Sequence, residues 1–169
     1  MYNLEIDGWM MEVELQEIER LAAEVPANGL IVEIGCLYGR STYAWAKSCD
    51  PSVKVLVIDA FYGKDQRAKF DASMAGIENI EVIDGKAPDK MIYPGYMIDL
   101  LFIDATHFNP NDLEIIEYFL PFMKKGGILS GHDYYEAYPD VIANVRMLEE
   151  RFDQKVTNAQ GTSIWAFRV

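Results

Sequence analysis

The chain has 169 residues, enough to bury one sizeable core and too few for two comfortable domains. Asp and Glu number 27 against 15 Lys and Arg, a formal charge of −12. That balance excludes a chain whose main partner is nucleic acid or an anionic membrane, because binding to phosphate is driven by cationic side chains.

Two cysteines, Cys36 and Cys49, are too few for a disulfide framework. The opening MYNLEIDGWMMEVELQEIERL is acidic and amphipathic, unlike the basic start and apolar run of a signal peptide. No stretch reaches the roughly 20 apolar residues of a membrane span. A cytoplasmic setting and no membrane partner are expected.

Residues 10–24 predict an amphipathic helix, with Val13, Leu15, Ile18, Leu21 and Ala22 near helical spacing. Glu12, Glu14, Glu17 and Glu19 read as its solvated face. Pro26 to Gly29 break the pattern, and Leu30 to Ile34 predict a short buried strand. Thr42 to Lys47 continue as a helix, followed by a second strand over Val53 to Ile58. A helix over Lys64 to Met74 precedes strands at Ile80 to Ile83 and Met97 to Ile103. Asn111 is expected to cap a helix running to about Met123, with Lys124 to Gly127 as its basic last turn and glycine stop. A fifth strand covers Ile128 to Ser130 and a helix covers Pro139 to Phe152. Lys155 to Thr157 and Thr162 to Val169 read as two last strands around the turn 158–161.

Strands alternating with helices imply an α/β fold, a parallel sheet covered on both faces. The closing hairpin forces one strand antiparallel. One domain over 1–169 is expected, with 1–28 a helical N-terminal segment and 29–169 the core.

The first strand runs into V-E-I-G-C-L-Y-G-R-S-T, residues Val32 to Thr42. Gly35 sits where the chain must turn off a buried strand, and Gly39 opens the next helix where backbone would approach a ligand. Ser41 and Thr42 can present hydroxyls and amides at a helix N-terminus. Leu37 occupies the middle glycine position of the dinucleotide fingerprint, which disfavours a pyrophosphate. Glu33 suits a cation. Asp59, at the end of the second strand, can accept hydrogen bonds from ribose hydroxyls. Together these residues fit a ligand with a ribose and a positive group but no phosphate, a description that S-adenosylmethionine meets.

E-I-G-x-x-x-G-x-S-T resembles the class I S-adenosylmethionine-dependent methyltransferases, in particular the compact subgroup with the catechol- and macrocin-type O-methyltransferases. The resemblance implies a Rossmann-like seven-stranded sheet of order 3-2-1-4-5-7-6, with strand 7 antiparallel. It places Glu33 and Gly35 near the methionine part, Ser41 near its carboxylate and Asp59 at the ribose. Ala60 and Phe61 follow, with Phe61 placed to cover the adenine. After the third strand the family often carries an acid beyond the glycine; here Gly85 is followed by Lys86, so backbone or Asp84 must serve the adenine amino group.

The fourth predicted strand ends in Asp104-Ala105-Thr106-His107 and the fifth in Gly131-His132-Asp133-Tyr134. Both histidines of the chain therefore fall at the carboxyl ends of neighbouring strands, each close to an aspartate. Asp104 and Asp133 can offer hard oxygens to Mg²⁺ or a similar cation, which would lower the pKa of a bound hydroxyl. His107 can accept a proton. His132 can order Asp133 or bind substrate. The resemblance matches Asp104 and Asp133 to metal positions and His107 to the basic catalytic residue. Tyr134 replaces the amide-bearing third ligand, and in relatives without metal the acid at Asp104 faces the cofactor.

Cys36, Tyr43 and Trp45 read as packing residues. Tyr134, Tyr135 and Tyr138 read equally as packing or as walls of an acceptor pocket. The expected activity is O-methylation of a small-molecule hydroxyl, with a non-catalytic cofactor-binding module and a nicotinamide-dependent reductase as rivals. A sheet this bare lacks a large substrate cap, so the acceptor pocket is expected from the N-terminal helix and the 61–72, 105–111 and 134–140 loops, or from the second subunit of a homodimer.

Overall fold

The computed structural model describes residues 1–89 and 93–169. Its strands form where the apolar runs are shortest and richest in branched residues: β1 Leu30–Ile34, β2 Lys54–Asp59, β3 Ile80–Asp84, β4 Ile98–Ile103, β5 Met123–Gly131, β6 Thr157–Asn158 and β7 Trp165–Arg168. They make one sheet of order β3-β2-β1-β4-β5-β7-β6. Pairings among β1 to β5 are parallel, and β7 runs antiparallel to both β5 and β6. This is the order that the resemblance implies.

Alternation along the strands divides the core in two. Ile31, Val55, Val57, Leu100 and Phe102 point to one face. There they meet α1 Glu12–Ala22, α2 Arg40–Ser48 and α3 Gln66–Ser73. Val32, Ile34, Leu56, Leu101 and Leu129 point to the other. There they meet α4 Asn111–Phe119 and α5 Pro139–Phe152. Helices thus cover both faces, as a buried parallel sheet requires. On the first face the buried Trp45 meets Phe102 edge to face, with centroids 5.2 Å apart. Its expected role as a packing residue matches this placement.

Two sequence expectations change at α4. Asn111 opens the helix but does not cap it; the cap position is Pro110, and Asn109 Oδ1 accepts from the amide of Leu113 at 3.3 Å. The helix also stops at Phe119, and a single 3₁₀ turn over Leu120–Phe122 follows. Pro121 has no amide hydrogen and restricts the residue before it, so the α-helix cannot pass. Lys124 to Gly127 consequently lie inside β5 rather than at a helix end. The apolar period could not reveal this, because the lysine there serves a tertiary bond: Lys124 Nζ donates to Asp99 Oδ2 at 2.7 Å. The last hairpin keeps its place with shorter strands.

The chain leaves β1 for β2 on one side and reaches β4 on the other, so β1 and β4 flank the switch point of the sheet. Open α/β sheets bind ligands beyond the carboxyl ends of the strands at such a point. At the opposite end, buried Asp99 ties β1, β4 and β5 together. Its Oδ2 accepts from the Leu30 amide at 2.8 Å as well as from Lys124. Asp99→Ala leaves that amide without its partner and should lower stability by about 1–3 kcal/mol in urea denaturation.

Candidate active site

The carboxyl ends of β1, β2, β4 and β5 meet around a cavity of about 840 Å³. On the β1 side the turn rests on Gly35. Its φ is +86°, and a Cβ there would collide with the carbonyl of Asp104. Only glycine lets the ends of β1 and β4 approach so closely. Gly35 and Ser41 line the cavity, as the sequence suggests.

Gly39 does not. Its φ is +92°, but a Cβ would meet Met74 Cε at 2.8 Å and the Phe70 ring at 3.1 Å. The left-handed backbone and the close packing of Phe70 and Met74 both call for a glycine here. Glu33 also stands behind the wall. It is fully buried, and Thr42 Oγ1 donates to its Oε2. Burial pushes the Glu33 carboxyl up to about 8, helped by the charge of Asp104 and opposed by the hydroxyls of Ser41 and Thr42.

Asp59 lines the cavity at the end of β2 with its carboxylate already engaged. Oδ2 accepts from the amides of Cys36 at 2.8 Å and Leu37 at 3.3 Å. Oδ1 accepts from the amide of Phe61 at 2.7 Å and from Gln66 Nε2 at 3.2 Å. This carboxylate is the clasp between the β1 turn and the β2 loop. Ala60, Gly85 and Lys86 line the same side. Phe61 is turned away: its ring packs on Phe70 at 5.5 Å, and Tyr62, 82% exposed, is the aromatic on that loop that faces the cavity. The side chain of Asp84 lies outside the cavity wall, 3.8 Å from Arg67.

Across the cavity the structure brings together all four polar residues expected at β4 and β5. His107 Nδ1 and His132 Nδ1 each lie 3.2 Å from Asp133 Oδ2. His107 Nε2 and His132 Nδ1 lie 3.9 and 3.8 Å from Asp104 Oδ1. His107 and Asp133 adopt φ of +62° and +61°, a region that non-glycine residues enter at a cost and that recurs at functional sites. Enclosure pushes the Asp104 carboxyl up; the two imidazoles oppose this, and Asp133 and Glu14 add to it. Asp104, His107 and Asp133 each present a donor atom within 4.8 Å of the others, a donor set suited to a divalent cation. Tyr135 and Tyr138 line the cavity, with Tyr138 4.9 Å from the His107 ring, whereas Tyr134 packs on the core.

One site residue overturns its sequence reading. Glu14 is not part of a solvated face; it is 3% exposed and lines the cavity. Its Oε1 lies 2.9 Å from His132 Nε2. Burial disfavours charge on both partners, yet their hydrogen bond and mutual attraction prevail. Glu14 is held down at about 2, and His132, which Asp133 also bonds, is pushed up to about 10. With Glu14 at Nε2 and Asp133 Oδ2 3.2 Å from Nδ1, both ring nitrogens of His132 face carboxylates. The signal was present: Glu14 falls four and seven residues before Ile18 and Leu21, on their helical face. Sequence reasoning also missed Arg40, which lines the cavity. Its Nε and Nη1 donate to the carbonyls of Ile6 at 2.7 Å and Met10 at 2.9 Å, fastening the N-terminal segment to the wall.

A family model described as a methyltransferase domain matches residues 32–134. No curated protein matches the chain in sequence. Among solved structures, the O-methyltransferase TomG of Streptomyces achromogenes, involved in tomaymycin synthesis and bound to S-adenosylmethionine, is similar with a TM-score of 0.75 and 20% identity. The match covers 95% of this chain and 82% of TomG. An O-methyltransferase of Bacillus cereus in complex with S-adenosylhomocysteine is similar at TM-score 0.71 and 20% identity, over 98% of this chain and 85% of that one. An rRNA methylase of Streptococcus thermophilus is similar at TM-score 0.66 and 20% identity, over 94% and 96%. At these identities the likeness shows the shared fold.

The shifted Glu33 has a measurable consequence. Its carboxyl moves from an ordinary 4.5 to about 8 on folding, so between those values the folded state binds the extra proton. Its contribution to stability therefore falls as pH rises through that window. Relative to Glu33→Gln, the ligand-free wild type should melt at progressively lower temperature from pH 4.5 to 8 by circular dichroism.

Proposed function

The chain belongs to the methyltransferase-domain family, and we propose that it transfers the methyl group of S-adenosylmethionine to a hydroxyl oxygen of a small molecule. The observation that carries this reading is the position of His107. It stands between Asp104 and Asp133, on the same cavity as the Gly35 turn and the Asp59 clasp. The similar O-methyltransferases bound to S-adenosylmethionine and S-adenosylhomocysteine support it.

The residues present fit the methyl donor. Glu33 is buried behind the β1 turn and holds the start of α2 through Thr42, so it shapes the donor wall from behind. Gly35, Ser41, Asp59, Ala60, Gly85 and Lys86 would hold the donor against the ends of β1, β2 and β3. Asp59 spends its oxygens on Cys36, Leu37, Phe61 and Gln66, so its part is to hold the turn in shape; a ribose contact would require Gln66 to yield its bond. When bound, the donor supplies a methyl carbon activated by a sulfonium.

Asp133 Oδ2 faces His107 Nδ1, which fixes the proton there and leaves Nε2 to act as base. The acceptor hydroxyl proton passes to Nε2 while the oxygen bonds to the methyl carbon. The donor, when bound, would take the leaving electron pair on its sulfur, and His107 would hold the acceptor's proton. Holding the two reactants in line should provide much of the acceleration. Tyr62, Tyr135 and Tyr138 offer an aromatic wall to a small acceptor, and the −12 charge disfavours an RNA acceptor.

A second reading rests on the donor set itself. Asp104, His107 and Asp133 would hold Mg²⁺ or a similar ion, which would acidify an acceptor hydroxyl. Dialysis against a chelator separates the two. Activity that survives fits His107 as base; activity lost and restored by Mg²⁺ fits His107 as ligand.

The general test incubates the purified protein with S-adenosylmethionine, a panel of hydroxylated small molecules and ribosomal RNA, and measures S-adenosylhomocysteine release. Turnover is expected with a small hydroxyl compound. Turnover on RNA alone would overturn the acceptor class, and absence of both binding and turnover the reaction. His107→Ala should lower kcat by about 10²–10⁴-fold with cofactor affinity by calorimetry nearly unchanged.

A further inference from the structure

Glu14 and His132 are 118 residues apart in the chain and in direct contact in the fold. Glu14 Oε1 faces His132 Nε2 at 2.9 Å and accepts from the amide and hydroxyl of Ser163 at 3.1 and 2.9 Å. Its Oε2 accepts from the Met11 amide at 3.0 Å, capping α1. An apolar side chain at position 14 would complete the stripe of Ile18 and Leu21. A buried carboxylate is costly unless fully paired, so its value lies in the groups it meets.

The most consequential of these is the His132 ring. Nε2 is bound by Glu14 and Nδ1 faces Asp133 Oδ2 at 3.2 Å, so the ring has no free edge about which to turn. The same Asp133 oxygen is 3.2 Å from His107 Nδ1. A continuous polar chain therefore runs Glu14–His132–Asp133–His107, from the N-terminal helix to the group that faces the acceptor. The backbone of β5 is fastened at the same place: Trp165 Nε1 donates to the His132 carbonyl at 3.2 Å, and the Tyr134 amide to that of Ser163 at 2.9 Å.

We infer that Glu14 is a positioning residue of the acceptor centre: its carboxylate holds the His132 ring, which holds Asp133 in register with His107. Naming this the acceptor centre rests on the methyl-transfer reading; the chain of contacts does not.

The chain has two histidines, so the imidazole spectrum of ¹⁵N-labelled protein contains two ring systems. In the wild type the His132 Nε2 proton should exchange slowly with water and be visible. Ser163 Oγ also lies 3.0 Å from His132 Nε2, so Glu14→Ala should speed the exchange of that proton and move its signal, and should shift the ring nitrogens of His107, which Glu14 does not touch. Glu14→Gln keeps the shape and one acceptor oxygen but loses the charge; it should move the His132 proton upfield without abolishing it. This milder variant serves also where Glu14→Ala fails to fold. Because Glu14 touches His132 directly, the deciding signal is that of His107: a shift of the His107 nitrogens in either variant is expected, and a His107 ring unmoved in both overturns the inference. Calorimetry of the wild type with S-adenosylhomocysteine is read separately: absence of binding would sink the methyl-transfer reading and leave the histidine result standing.

Discussion

Three carboxylates and two imidazoles share one corner of this molecule, and the site depends on how they neutralise one another. Glu14, Asp104 and Asp133 come from three elements distant in sequence. Packed together without compensation they would repel and protonate. The His132 ring stands between Glu14 and Asp133, with a nitrogen toward each. The second imidazole, His107, is thereby left to the cavity, with Asp133 at one nitrogen and Asp104 at the other. One histidine is enclosed by carboxylates at both nitrogens, and its neighbour lines the cavity. The distinction arises from Glu14, which approaches His132 alone.

The opposite wall obeys a different constraint, that of space. β1 and β4 approach so closely at their carboxyl ends that Gly35 can carry no side chain. The turn this creates is held by Asp59, which collects two amides from it and two donors from its own loop. The β1–β2 wall is thus shaped by backbone, and the β4–β5 wall is polar and shaped by side chains, in a chain of the methyltransferase-domain family.

Much of this was legible in the residues. Leu30 to Ile34 reads as a buried strand because five consecutive apolar or paired positions need cover on both faces, and all five are buried. The ends of β4 and β5 carry both histidines beside aspartates, which marked the site before its geometry was known. What misled was always a residue whose reason lay outside its own segment. Lys124 to Gly127 resembled a helix end, but Pro121 had already stopped the helix and Lys124 was bound to Asp99. Gly39 resembled a ligand-facing glycine, but α3 occupies the space it leaves. Phe61 and Tyr62 are adjacent and both aromatic; only the turn of the loop decides which packs on Phe70 and which faces the cavity.

By itself, the sequence determined the class of fold, the strand ends that line the cavity, and the acidic character of the chain. Those properties follow from local periodicity, from the conformational freedom of glycine and from net charge, all of which act within a segment or on the chain as a whole. The tertiary structure alone decided which acid meets which histidine. Glu14 and His132 lie on elements separated by most of the chain, and no local preference of either residue encodes the other. Their contact exists because α1 packs on the same sheet face as α2 and brings an acid in its apolar stripe to the end of β5. Burial then makes the pairing obligatory, since neither group would keep its charge there alone.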